Sequence, residues 1–91
     1  MNLQEIIKDQ STVLVDVRTP AEFSEGSAKN AINIPLDRIQ AEADALKGKG
    51  TIVVFCRSGN RSAQAKFLLE RLGFNNVINA GTWEDVAMLQ N

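Results

Sequence analysis

Four short apolar runs, separated by residues at helical spacing, limit what this chain can fold into. They are Val13-Leu14-Val15-Asp16-Val17, Ala31-Ile32-Asn33-Ile34, Ile52-Val53-Val54-Phe55 and Val77-Ile78. Leu3, Ile6 and Ile7 predict a short helix ahead of the first run. Thr19-Pro20-Ala21-Glu22 predicts a second helix, with Thr19 as cap, Pro20 at the first helical position and Glu22 closing a capping box. Glu25-Gly26-Ser27 ends it, and Pro35 ends the second apolar run. Leu36, Ile39, Ala43 and Leu46 predict an amphipathic helix over 37–46, stopped at Gly48-Lys49-Gly50. Ala65, Leu68, Leu69 and Leu72 predict the next helix, with Gly73 as its stop. Thr82-Trp83-Glu84-Asp85 starts a last helix that turns Trp83, Val86 and Leu89 inward. Strands that alternate with helices and read as continuous apolar runs predict an α/β fold, a small parallel sheet flanked by helices on both faces. In such sheets ligands sit beyond the C-terminal ends of the strands.

The chain has 91 residues, which predicts one domain spanning 1–91 with a modest core. Its net charge of −1 gives no reason to expect nucleic acid or an anionic membrane as partner. No apolar run approaches the roughly 18 residues that span a bilayer. The start, MNLQEIIKDQ, lacks a basic segment followed by an apolar one, so no signal peptide is expected. The single cysteine excludes an intrachain disulfide and fits a reducing, cytoplasmic setting. Histidine is absent. That removes Cys–His and Ser–His pairs, imidazole zinc sites and an imidazole general base, and neither metal nor cofactor is expected.

The only cysteine, Cys56, follows the third apolar run directly, in VVFCRSGNRSAQA. It stands at the C-terminal end of a predicted strand, where ligands of a parallel sheet collect. A thiol reacts as its thiolate, and without histidine the available aids are backbone N–H groups, a helix N-terminus and nearby cations. Arg57-Ser58-Gly59-Asn60 can curl so that its N–H groups point inward, and Gly59 and Asn60 tolerate the positive φ that such a curl uses. The helix after Asn60 would aim its positive end at the sulfur. Arg57 and Arg61 add positive charge that would select an anion. The competing reading is a small buried hydrophobe, since free cysteine is among the most buried residue types. A glycine-containing loop with two arginines is poor core-building material and favours the functional reading. A sulfur sealed from solvent and titrating as an ordinary thiol would reverse that preference.

The stretches LVDVRTPAEF, NAINIPL and VVFCRSGNRSAQAKFLLERLGFNNVINAGTWED, in this order from about Ser11 to Leu89, resemble the single-domain rhodanese family of sulfurtransferases. The resemblance implies that Cys56 attacks the outer sulfur of thiosulfate or a persulfide donor. Sulfite leaves from thiosulfate, or a thiolate from a persulfide donor; a cysteine persulfide remains, and cyanide, a cellular thiol or a thiol-bearing protein takes the sulfur. It implies Cys56 as nucleophile, with Arg57, Ser58, Gly59, Asn60, Arg61 and Ser62 binding the donor and the persulfide. Three departures are visible. Gly26-Ser27-Ala28 stands where the family often has Gly-His-Ile, and Ala80-Gly81-Thr82-Trp83 stands where two glycines are common. An extra initial edge strand found in many members has no counterpart, which favours four strands over five.

Two other readings remain at this point. One is a cysteine phosphatase or arsenate reductase on a similar fold. The Cys-x5-Arg pattern of the phosphatases sets five residues in the loop, whereas four separate Cys56 from Arg61. The other is a module that binds a partner or only relays sulfur. Among the remaining residues, Asp16 lies inside an apolar run and needs a partner, for which Arg18 and the loop N–H groups are candidates. A structural brace is favoured over a catalytic base for Asp16, and Arg18 is read likewise as structural. Trp83 is read first as core and second as pocket lining. Ser58 and Ser62 are read as caps before they are read as donors to the sulfur.

Overall fold

A computed structural model describes residues 2–91. The elements are α1 (Leu3–Lys8), β1 (Val13–Asp16), α2 (Pro20–Glu25), β2 (Ile32–Asn33), α3 (Ile39–Glu42), β3 (Ile52–Cys56), α4 (Asn60–Arg71), β4 (Val77–Thr82) and α5 (Trp83–Leu89). Short 3₁₀ turns at Leu36–Arg38 and Ala43–Leu46 flank α3. The strands form one four-stranded sheet in the order β2-β1-β3-β4, with every pairing parallel. This is the expected α/β architecture, with four strands among the described residues rather than five.

Alternation along β3 divides the interior into two layers. Ile52, Val54 and Cys56 face a cluster completed by Val15, Ile39, Leu46 and Leu69, which places α3 and α4 on that side. Val53 and Phe55 face the other cluster, built on Ile7 of α1 and Val86 of α5. All five residues of β3 are buried, as expected of a central strand covered on both faces. Trp83 and Leu89 pack against the second layer, as their spacing predicts.

The start of α2 follows its sequence signature. Thr19 Oγ1 accepts from the Glu22 N–H at 3.2 Å, and the Glu22 carboxylate accepts from the Thr19 N–H at 3.0 Å. With Pro20, which has no N–H, at the first position, the capping box satisfies two of the three remaining orphan donors of that turn.

Three expectations need correction. The predicted helix over 37–46 is a broken run, 3₁₀ then α then 3₁₀. Ile39, Ala43 and Leu46 are all buried, but spacings of three and four residues suit 3₁₀ and α geometry alike. None of the three starts has a side-chain cap to favour one continuous helix. The fourth strand runs to Thr82 rather than stopping at Ile78, because Asn79-Ala80-Gly81 has little strand propensity to reveal it. The second strand is the reverse case, regular only at Ile32–Asn33. Ile34 N–H still donates to the Asp16 carbonyl at 3.1 Å before Pro35, which has no N–H, interrupts the ladder.

β3 and β4 fall out of step near their ends. Val54 pairs with Asn79, but Cys56 pairs with Thr82, so β4 carries one extra residue there. Gly81, at φ +84°, supplies the left-handed conformation at this bulge.

Candidate active site

The C-terminal ends of β1, β3 and β4 meet at the Cys56 loop. Cys56 is the last residue of β3, and Arg57-Ser58-Gly59 turns the chain into α4. Gly59 is the helix cap and sits at φ +100°. An added side chain would be strained there, and its Cβ would lie 3.5 Å from Gly81 Cα. Asn60 is the first helical residue and does not use a positive φ, so the curl rests on Gly59 alone.

A glycine cap has no side chain to accept from the first helical N–H groups. The Cys56 sulfur takes that place. The Ser62 N–H donates to Sγ at 3.4 Å, the Gly59 N–H donates at 3.0 Å, and Ser62 Oγ lies 3.4 Å from Sγ. Ser62 is buried and is therefore a neighbour of the sulfur rather than a helix cap. Ser58 does act locally, with its Oγ accepting from the Asn60 N–H at 3.4 Å.

Burial pushes the Cys56 thiol up. The Ser62 hydroxyl and the amides of Ser62, Ser58 and Gly59 outweigh it and hold the thiol below its ordinary value of 9.0. The side chain has no solvent-accessible surface and belongs to the core layer beneath α4. Its outer cover is the loop itself, in which Arg57, Ser58 and Asn60 are exposed. Cys56 is thus buried as the core reading has it, yet it is hydrogen-bonded unlike an ordinary core thiol.

The two arginines part company. Arg61 turns away to Glu22, with Nη1–Oε1 and Nη2–Oε2 at 2.7 and 3.0 Å. This pair ties α4 to α2, and the Arg61 hydrogen bonds together with the Thr19 N–H lower the Glu22 carboxyl to about 2. Arg57 is exposed and lines a cleft of about 280 Å³ with Arg18, Glu22, Glu25, Trp83 and Glu84. Trp83 therefore fills both of its anticipated roles, packing on the core below and lining this cleft.

Asp16 braces the same end of the sheet. It is fully buried, and Arg18 Nε and Nη2 donate to its carboxylate at 2.7–3.0 Å. The Arg18 N–H adds a bond at 3.0 Å. Ser27 Oγ donates at 2.7 Å, a partner that the sequence reading missed because Ser27 stands eleven residues away across α2. Arg18 also donates to the Gly26 carbonyl at 2.6 Å and lies 5.1 Å from the Trp83 ring centroid. Asn79 is a second miss. From β4 its side chain reaches Ser62, Gly59 and Gly81 at once. Only its position shortly before a glycine hinted at a bulge.

The fold and this site define a class, small parallel α/β proteins that hold one cysteine in a strand-to-helix loop. The chain belongs to the rhodanese-like family, whose domain model, "Rhodanese-like domain", matches residues 2–87. It is 40% identical over 76 residues to the thiosulfate sulfurtransferase PspE of Escherichia coli K12, covering 81% of this chain and 73% of that protein. A mitochondrial protein of Schizosaccharomyces pombe is 37% identical over 89 residues, covering 82% of this chain, which spans 63% of that relative. A solved structure described as rhodanese with anions from E. coli superposes with a TM-score of 0.77 at 33% identity, covering 84% of this chain and 92% of that one. Among the described residues no helix is long and apolar enough to cross a membrane.

Proposed function

We propose that this chain is a sulfurtransferase that carries sulfur as a persulfide on Cys56. The observation that carries the reading is the convergence of the Gly59 N–H, the Ser62 N–H and the Ser62 hydroxyl on one sulfur. The two N–H groups, and the hydroxyl once it turns to the thiolate, favour the ionised form without a base beside it. The Cys56 thiolate attacks the outer sulfur of thiosulfate. A Cys56–sulfur bond forms, the sulfur–sulfur bond of thiosulfate breaks, and its electron pair leaves on sulfite. The terminal sulfur keeps one negative charge, which the N–H groups of the Arg57–Ser62 loop hold. Cyanide or an acceptor thiolate then attacks that sulfur and regenerates the Cys56 thiolate. Neither step requires a proton to be moved, which suits a chain without histidine.

Arg57, exposed beside the cleft, is the arginine that meets the anionic donor. Arg61 acts indirectly, by holding α2 against α4 through Glu22. This division weighs against a phosphatase, in which the loop arginine would clamp the phosphate oxygens. The sulfurtransferase name of the E. coli relative and the anions of the solved rhodanese support the same reading. Because no accessible surface remains on the sulfur, a donor can reach it only if the covering loop moves.

The test is to supply thiosulfate and cyanide and measure thiocyanate, with an aryl phosphate offered in parallel. Thiocyanate from the natural protein and none from Cys56→Ser is expected. Phosphate release without thiocyanate would select the phosphatase, and neither product would select a binding or relay module.

A further inference from the structure

The amide of Asn79 has a fixed orientation. Its Oδ1 accepts from the Gly81 N–H at 3.0 Å, and its Nδ2 donates to the Gly59 carbonyl at 3.3 Å. An N–H can only donate and a carbonyl can only accept, so the two ends cannot be exchanged. Ser62 Oγ lies 2.7 Å from that same Oδ1. An amide oxygen accepts only, so the single hydroxyl proton of Ser62 is directed to Asn79. The Ser62 oxygen then faces Cys56 Sγ at 3.4 Å with its lone pairs, and the thiol S–H is the donor of that contact. Once the sulfur is ionised it can only accept. The hydroxyl proton of Ser62 must then turn from Asn79 to the sulfur, and Oδ1 keeps the Gly81 N–H.

We propose that Asn79 is a positioning residue for the Cys56 sulfur, acting through Ser62: it takes the Ser62 hydroxyl proton while the thiol is protonated and yields it when the thiolate forms. The inference rests on the reading of Cys56 as the reacting thiol. The bulge at Gly81 makes the arrangement possible. With one extra residue in β4, Asn79 can hold the bulge, the loop carbonyl of Gly59 and the Ser62 hydroxyl together. The charged groups of the surrounding elements are Arg57 after β3, Arg61, Lys66, Glu70 and Arg71 on α4, Glu42 on α3, Asp16 with Arg18 at the end of β1, Glu22 and Glu25 on α2, and Glu84 and Asp85 on α5, while β4 has none. None of them hydrogen-bonds to Sγ, which leaves the Ser62 hydroxyl as the side-chain contact that changes with ionisation.

The test is a double-mutant cycle on the full chain, read as the pH midpoint of Cys56 alkylation by iodoacetamide. Ser62→Ala removes a donor to the thiolate and should raise the midpoint. Asn79→Ala releases the Ser62 proton to the sulfur and should lower it by about half to one pH unit. In the Ser62→Ala background that downward shift should vanish. Equal shifts in the two backgrounds would overturn the proposal, because Asn79 would then act on the loop without Ser62. A measurement on the natural protein guards against a variant that does not fold. The Asn79 side-chain carbonyl carbon should titrate in NMR at the thiol midpoint, and a resonance fixed through that midpoint would also overturn it. Both readouts follow ionisation, not sulfur transfer, so they can fail while thiocyanate is formed and succeed when none is.

Discussion

At Cys56 a helix that lacks a capping side chain closes its first turn on a sulfur. Replacing that sulfur by oxygen keeps a hydrogen-bond acceptor in place. Cys56→Ser should therefore leave the chain folded by circular dichroism while thiocyanate formation falls to background. Arg57 is exposed, and exposed charge contacts contribute little. Arg57→Ala should raise KM for thiosulfate by up to about fivefold with little change in kcat. An unchanged KM would remove Arg57 from the site. The position of Cys56 and the role of Gly59 were legible in the sequence, because a strand end, a glycine and a helix follow one another within a few residues. The Ser62–Asn79 contact was not legible, since it joins two elements 17 residues apart through a bulge at which only a nearby glycine hinted.

Among the elements, α2 and α4 are held together by Glu22 and Arg61. The sequence revealed Glu22 as half of a capping box, and the same carboxylate turned out to serve both its own helix and α4. Its carboxyl is lowered from 4.5 to about 2. A lowered acid contributes stability that is complete above its unfolded value and is lost as pH falls through the folded one. The stability of the chain should thus decline between about pH 4.5 and pH 2 partly through this pair. Glu22→Gln should flatten that part of the urea-unfolding profile. The same slope in both proteins would show that the pair contributes nothing measurable. The broken run around α3 was illegible for a different reason. Its apolar spacing satisfies two kinds of helix, and nothing local chooses between them.

For the whole molecule, the sheet is the frame, and Asp16 ties its carboxyl end together from inside. The sequence pointed to a partner for this acid and named Arg18, but Ser27 and Gly26 join only when the chain folds back over α2. Asp16→Ala would leave the buried Arg18 guanidinium without its counter-charge, a loss of about 3–5 kcal/mol. Against the roughly 5–15 kcal/mol that a native fold has in total, this should shift the urea midpoint strongly. A loss under about 1 kcal/mol would show that the brace is dispensable. The order of elements was readable because buried strands and amphipathic helices differ in period, and the parallel pairing follows from that order. What the frame finally presents is one sulfur, and the most direct measurement weighs it. After incubation with thiosulfate and removal of small molecules, the intact mass should rise by one sulfur atom located at Cys56 and return to its starting value on adding cyanide. An unchanged mass in a folded protein, with thiosulfate in excess, would contradict the account.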